Sequence, residues 1–254
     1  MQSPFGGEHE EERSAAKKSQ PPLTRAVESQ YRSDFLSFVR GSAFPCLAAK
    51  AALNAPSFCL QVYRELASPV VSQRLARDLD CFAHSEIIQA GSYATFAAIF
   101  KGPLGITEEE FERLLWAQLG LLSRIDLAKN SWDPRVSSDP SDPRFSFSFG
   151  GRAMYVVGMH GNSSRLSRRF RWPALVFNPH EQFERLRADG QWTRLRNIIR
   201  ERDIALQGDR NPMLSDFGDQ SEAVQYSGRV TGAGWAPPAE FTPAKTPSRC
   251  PFAR

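Results

Sequence analysis

The most chemically suggestive residue in the sequence is Cys46, which follows Pro45 at the predicted start of a short helix. Proline fits the first turn of a helix, so Cys46 is expected near free backbone N–H groups and the positive end of the helix dipole. That setting stabilises a thiolate, which binds soft metals or attacks electrophiles. A small buried cysteine at a helix start gives the same local pattern. Cys46 alone leaves both interpretations open.

Two histidines follow predicted strands. His160 opens a polar loop, and three arginines, whose forked side chains suit carboxylate or phosphate, come soon after it: Arg165, Arg168 and Arg169. His180 follows Asn178, a predicted helix cap, and Pro179, predicted at the first helical position. A histidine there is a candidate metal ligand, acid–base group or substrate contact. A solvated basic loop and a surface histidine are the alternatives.

Other candidate segments are polar. The alternating charges of residues 199–203 are typical of a solvated helical face. Residues 221–229, which include Glu222 and Arg229, are unusually polar and aromatic for a plain loop. The sequence has no GxGxxG, Walker loop, HExxH, GxSxG or deaminase zinc motif. A Cys–His hydrolase or transferase built on Cys46 with His160 or His180 remains an alternative.

Composition indicates an ordinary globular protein. The 254 residues are 41% hydrophobic and 24% charged, with a net charge of +4, and no Lys-rich run indicates nucleic-acid binding. No apolar run is long enough to cross a membrane, and the polar N-terminus has no secretory signal, so we expect a cytoplasmic protein. The four cysteines lack CxxC spacing, which argues against a zinc knuckle.

Periodicity predicts an α+β fold, with helices flanking one mixed, partly antiparallel sheet. Residues 1–22 are predicted to be a disordered tail, and residues 23–254 a single domain. A capping box at Thr107 and Glu110 begins a long helix, and Gly150-Gly151 joins two strands in a hairpin. The predicted helices cover residues 23–40, 47–53, 69–84, 107–124, 181 onward and 191–207; the predicted strands cover residues 58–63, 93–100, 145–149, 152–159 and 173–177.

An ordered set of short motifs resembles the YqcI/YcgG family from about residue 30 to the C-terminus. The set consists of Phe44-Pro45-Cys46, Tyr93-Ala94-Thr95-Phe96, Val157-Gly158-Met159-His160, Ser164-Arg165, Arg168-Arg169-Phe170, Asn178-Pro179-His180-Glu181-Gln182-Phe183-Glu184, Ile199-Arg200-Glu201-Arg202-Asp203, Gln225-Tyr226-Ser227-Gly228-Arg229 and Cys250-Pro251-Phe252. Members of this family include haem-dependent enzymes that N-hydroxylate a guanidino group in secondary-metabolite pathways, including antibiotic biosynthesis.

The resemblance implies a haem b monooxygenase that uses O₂, an external electron donor and arginine or an arginine-like amino acid. Cys46 is then the expected axial ligand of the iron, because a thiolate favours O–O cleavage; His160 and His180 are the rival ligands. Three arginines would hold haem propionates or a substrate carboxylate: Arg165, Arg168 and Arg169. Glu181, Glu222 and Arg229 are the expected substrate contacts. A homodimer is expected. A haem-binding or haem-sensing protein without oxygenase activity is the second possibility.

Overall fold

A computed structural model describes residues 25–89, 93–232, 234–238 and 241. The predicted tail of residues 1–22 and the Cys250-Pro251-Phe252 motif lie outside the described residues, and the single-domain prediction stays a prediction. The helices are α1 Arg25–Arg40, α2 Leu47–Ala52, α3 Pro69–Ala83, α4 Glu86–Gln89, α5 Glu108–Asp126, α6 His180–Ala188, α7 Trp192–Gln207 and α8 Ala223–Tyr226; the strands are β1 Phe58–Glu65, β2 Thr95–Gly102, β3 Phe147–Phe149, β4 Arg152–Met159 and β5 Ala174–Pro179.

The five strands form one mixed sheet, which confirms the predicted α+β class. Their order is β1-β2-β5-β4-β3; β1 and β2 are parallel, and the other neighbours are antiparallel. The parallel pair is connected through α3, as parallel strands require a crossover. Among the described residues, no helix is long and apolar enough to cross a membrane.

Local signals are confirmed where they are strongest. Thr107 and Glu110 form both hydrogen bonds of the capping box at the start of α5. Gly150 and Gly151 have φ of 61° and 71°, so the turn between β3 and β4 has the left-handed backbone that glycine adopts without steric cost. Pro69 begins α3 after Ser68, as predicted.

Two predicted helix starts are wrong by one residue. Cys46 is the N-cap of α2 rather than a residue of its first turn. Pro179 is the N-cap of α6, and Asn178 does not cap it. The Asn178 amide instead accepts a hydrogen bond from Thr95 Oγ1 (2.9 Å) on β2, because strand β5 continues through this position.

Alternation along the strands gives the sheet two different faces. Phe96, Ala98 and Phe100 of β2 pack with α3 and α5 in a large aromatic cluster, which we call the packed face. Ala97 and Ile99 point the other way, toward α1 and the residues that follow it. We call that side the cavity face, because α1, α2, α6 and α7 do not fill it completely.

Candidate functional site

A cavity of about 300 Å³ lies on the cavity face, bordered by residues of α1, α2, α6 and α7. Its floor consists of residues of three adjacent strands, at the alternate positions that lie on the cavity face: Thr95, Tyr155, Val157, Val176 and Asn178. Most of the wall is apolar. A cavity of this size, with a few convergent polar groups, is the usual form of a small-molecule site.

Cys46 lines the cavity at the start of α2. Its Sγ accepts a hydrogen bond from the backbone N–H of Ala49 at 3.4 Å, which satisfies one of the free donors of the first turn. Burial raises the pKa of the Cys46 thiol, and the N–H groups of Ala49 and Ala48 and the charge of Arg168 act in the opposite direction. The thiol is therefore protonated in the resting protein, with donors in place to stabilise its anion.

Arg202 of α7 holds the backbone in front of Cys46. Its guanidinium donates to the carbonyl oxygens of Ser42 (2.8 Å), Phe44 (3.1 Å) and Pro45 (3.3 Å). Three carbonyl groups of the segment that precedes α2 are thus tied to one side chain. The position of the Cys46 sulfur depends on α7 as well as on α2.

His180 lines the cavity within a buried hydrogen-bond network. Its Nε2 lies 3.0 Å from Glu222 Oε2 and 3.1 Å from Ser146 Oγ. The other Glu222 oxygen accepts from the Tyr226 hydroxyl at 2.5 Å, and that hydroxyl accepts from the Phe147 N–H at 2.9 Å. Both oxygens of a buried carboxylate are satisfied, so the network fixes Glu222 and His180 in one arrangement.

Four arginines and several carboxylates also line the cavity. Arg168 donates to the carbonyl oxygens of Gly158 (3.0 Å) and Gln225 (3.4 Å). Three more arginines come from α6 and α7: Arg187, Arg196 and Arg200. Arg196 and Arg200 share Asp216 as an ion-pair partner, and Nη2 of Arg200 is 3.5 Å from it. The cavity therefore combines an apolar wall with charged side chains of both signs.

Five of the predicted site residues do not line the cavity. His160 is on the packed face, stacked on Phe111 with ring centroids 4.4 Å apart, and neither ring nitrogen has a hydrogen-bond partner among the described residues. Arg165 pairs with Asp203 (2.6 Å) and Asp209.

The remaining three also have local partners. Arg169 donates to the Ser163 carbonyl at 2.7 Å. Glu181 pairs with two arginines, Arg135 at 3.0 Å and Arg152 at 3.1 Å. Arg229 binds Glu112 on the packed side. The structure brings together Cys46, His180, Arg168 and Glu222, and it separates His160 from Cys46 by the thickness of the sheet.

Sequence reasoning missed the cavity residues of α7. Arg196, Ile199, Arg200 and Asp203 line the cavity at intervals typical of one helical face. The alternating charges of this segment had favoured a solvated face. Their i, i+3, i+4, i+7 spacing indicates one helical face that contacts the rest of the protein. The spacing did not lead to this prediction, because three of the four side chains are charged and charged faces are usually solvated. Tyr155 was missed because its strand neighbours are all apolar or small.

Comparison with known proteins gives one match. The sequence model of the YqcI/YcgG family matches residues 35–240. That span is most of the chain, and it contains every residue that lines the cavity.

This chain belongs to the YqcI/YcgG family. Neither the curated proteins nor the solved structures compared with it give a match. In this YqcI/YcgG member, Cys46, His180 and Glu222 lie within the family region, so the cavity is a feature of the matched domain.

Proposed function

We propose that this YqcI/YcgG member is a haem-dependent monooxygenase that N-hydroxylates the guanidino group of arginine or an arginine-like amino acid. One observation carries the proposal: a cysteine sulfur, capped by a backbone N–H, faces an apolar cavity of about 300 Å³. The haem, the reaction and the substrate class come from the family resemblance described above. A cytoplasmic location, an external electron donor and a homodimer belong to the same proposal.

The cavity residues fit a haem by the chemistry of their side chains. A haem needs one soft or imidazole donor, apolar contacts for its ring and cations for its propionates. Cys46 supplies the donor, with His180 as the rival inside the cavity. Phe35, Val39 and Phe44 belong to the apolar wall. Arg168, with the arginines of α6 and α7, supplies the cations.

Cys46 would hold the haem as a thiolate, and a haem so bound would supply O₂ activation, because electron donation from sulfur favours O–O cleavage. Binding iron requires Cys46 to lose its proton, and the Ala49 N–H and the charge of Arg168 favour that loss. The Glu222 carboxylate is a group in the cavity wall that complements the positive charge of a guanidinium. Of the three substrate contacts expected from the sequence, Glu222 is therefore the one that we propose. His180 orients Glu222 through the 3.0 Å contact of its Nε2.

The test is the absorption spectrum of the purified protein, with and without carbon monoxide. We expect a haem spectrum of the thiolate type, lost in Cys46→Ala and kept in His180→Ala. Cys59→Ala is the matched control, since Cys59 is also half-buried but does not line the cavity. Loss of the spectrum in His180→Ala, with retention in Cys46→Ala, would reverse the ligand assignment. Absence of a bound-haem spectrum after haem addition and removal of the unbound haem would refute the proposal.

Two further measurements separate the alternatives. Hydroxylated product from arginine, O₂ and a reductant distinguishes an oxygenase from a haem sensor. A cysteine hydrolase or transferase would need a reactive Cys46, whereas burial raises the pKa of this thiol. His180 Nε2, moreover, contacts Glu222 and Ser146 rather than the sulfur. We therefore expect slow alkylation of Cys46 at neutral pH.

A further inference from the structure

Four oxidisable rings run from the protein surface to the cavity. Trp235 is half-buried, and its ring centroid lies 6.3 Å from that of buried Trp116. Trp116 stacks on Tyr226 at 5.7 Å with an interplanar angle of 24°. Tyr226 meets Tyr155 edge to face at 6.0 Å, and Tyr155 lines the cavity. We call these four residues the aromatic chain.

The aromatic chain crosses from one side of the sheet to the other. Trp116 lies on α5, in the core of the packed face, whereas Tyr155 is on the floor of the cavity. Phenylalanines such as Phe145 and Phe241 also surround Trp116. Phenylalanine is far harder to oxidise than tryptophan or tyrosine, so the four rings form a path of oxidisable groups within a larger aromatic core.

A proton acceptor stands beside the central tyrosine. The Tyr226 hydroxyl donates to Glu222 Oε1 at 2.5 Å. Burial, together with this carboxylate, raises the pKa of the Tyr226 phenol well above its ordinary value, so the resting side chain is protonated. When a phenol loses an electron it becomes strongly acidic. Glu222 is placed to take the proton, which makes oxidation of Tyr226 possible inside an apolar core.

We propose that the aromatic chain discharges oxidising equivalents from the cavity to the protein surface. The function is protective: a strong oxidant formed in the cavity without substrate would be reduced through the chain instead of damaging cavity side chains. This proposal rests on the proposed function for the source of the oxidant. The route itself is a property of the four side chains, and it can be tested without haem.

The electron and proton transfers balance at each step. In the resting protein the Tyr155 hydroxyl donates to Gln225 Oε1 at 2.8 Å. Tyr155 gives one electron and its phenolic proton to the oxidant in the cavity that it lines. Tyr226 then reduces the Tyr155 radical, which takes a proton from solvent, while the Tyr226 proton moves to Glu222. Trp116 reduces Tyr226, the proton returns from Glu222, and Trp235 reduces Trp116. A soluble reductant such as a thiol or ascorbate restores Trp235.

Division into short steps is what makes such a route effective. The rate of electron transfer falls exponentially with distance, so several transfers between neighbouring rings are faster than one transfer across the sheet. Each ring of the chain is within 6.3 Å of the next, measured between centroids. Trp235 ends the chain at a partly accessible position, where its Nε1 donates to Glu112 Oε2 at 3.3 Å.

The experiment uses the full-length protein without haem. Azide radicals generated by pulse radiolysis oxidise tryptophan by one electron, and transient absorption follows conversion of the tryptophanyl to the tyrosyl radical. This conversion is the reverse of the step in which Trp116 reduces Tyr226. Both directions use the same two rings and the same electronic coupling, so the conversion tests the route. Trp172 lies 4.4 Å from Tyr31 and would give a competing conversion. All variants are therefore made in a Tyr31→Phe background. We expect the background protein to show the conversion and its Tyr226→Phe and Trp116→Phe variants to lose it.

Trp132→Phe is the matched control, because Trp132 packs against Phe145 and Phe147 and is not one of the four rings. It should keep the conversion. Glu222→Gln retains the shape of the acceptor but is a weaker base, so it should slow formation of the tyrosyl radical even if Tyr226→Phe does not fold. Unchanged conversion in Trp116→Phe or in Glu222→Gln would overturn the route. Absence of haem binding would leave this result intact and refute only the proposed function.

Discussion

The two faces of the sheet are built from the same strands and yet differ in how they are filled. On the packed face, β2 and β5 present Phe96 and Phe177, which meet the large side chains of α3 and α5. On the cavity face, the neighbouring positions carry Thr95, Val176 and Asn178. Shorter side chains on one side of the strands leave space that the surrounding helices do not close. The cavity is thus a consequence of residue volume along alternating positions.

The two candidate histidines show the same contrast. His160 and His180 both follow strand residues and both are buried. His160 is stacked on Phe111 on the packed face without a hydrogen bond among the described residues, whereas His180 contacts Glu222 and Ser146 at the cavity. Burial alone therefore does not tell which histidine lines the cavity. The face of the sheet decides its surroundings.

The largest expected difference between the two faces is in the free energy of unfolding that is lost when a side chain is shortened. Leu175 is fully buried on the packed face, and Val157 lines the cavity from the adjacent strand. Leu175→Ala should lower the free energy of unfolding by about 2–5 kcal/mol, because it opens a void in a filled core. Val157→Ala should cost about 1 kcal/mol, because its methyl groups already border empty space.

Guanidinium denaturation measures both values, with the slope m unchanged if the variants remain two-state. Equal losses at the two positions would mean that the cavity face is packed as tightly as its opposite. The comparison between the faces would then fail.

Local patterns in the sequence were enough to place most elements. The capping box before α5 and the glycine pair between β3 and β4 act over a few residues, so their structural meaning does not depend on the rest of the chain. The same holds for Pro69 at the start of α3. The α+β class followed from the mixture of these elements, and the family followed from the order of its motifs.

The site was less accessible to sequence reasoning because it is assembled over long separations. The contact between His180 and Glu222 joins residues 42 positions apart, and that between Tyr155 and Gln225 joins residues 70 apart. No local pattern specifies such pairs. Arg165 and Arg168 were treated alike, although one pairs with Asp203 and the other lines the cavity. Which face a residue takes depends on strand pairing.

A smaller effect is expected when a side chain is added to the packed face. A Cβ on Gly158 would lie 2.7 Å from Leu115 Cδ1 and from the Tyr226 carbonyl oxygen. Gly158→Ala should therefore cost about 1–3 kcal/mol of unfolding free energy. Gly120→Ala is the control: its Cβ would meet nothing within 4 Å, and alanine should stabilise α5 by about 0.5–1 kcal/mol. No loss in Gly158→Ala would show that this face can adjust.

On the cavity face, removal of the Arg202 side chain should change both the position of the Cys46 sulfur and the stability of the protein. Arg202→Ala removes three hydrogen bonds to the backbone before Cys46 and should cost about 1–2 kcal/mol. The freed segment should also expose the sulfur. We expect faster alkylation of Cys46 in a background that lacks Cys59, Cys81 and Cys250.

Exposed Arg194, on the same helix, provides the control variant Arg194→Ala, which should leave both quantities unchanged. An alkylation rate unaffected by Arg202→Ala would show that α2 alone positions the sulfur.

The smallest effect comes from a single proton on His160. Burial lowers the pKa of this imidazole, and Glu108 only partly opposes that change. The unfolded chain therefore binds a proton that the folded chain does not, from an ordinary histidine pKa of about 6.5 down to the lower folded value. In that window the unfolding free energy should fall as the pH falls, by at most about 1.4 kcal/mol per pH unit.

His160→Phe should flatten the dependence of the unfolding free energy on pH, and His84→Ala, at an exposed site, controls for histidine content. An equal slope in the wild type and in His160→Phe would mean that the folded protein protonates His160 as readily as the unfolded chain does. Water would then reach the packed face at the end of β4, and the contrast with the cavity face would not hold at that position.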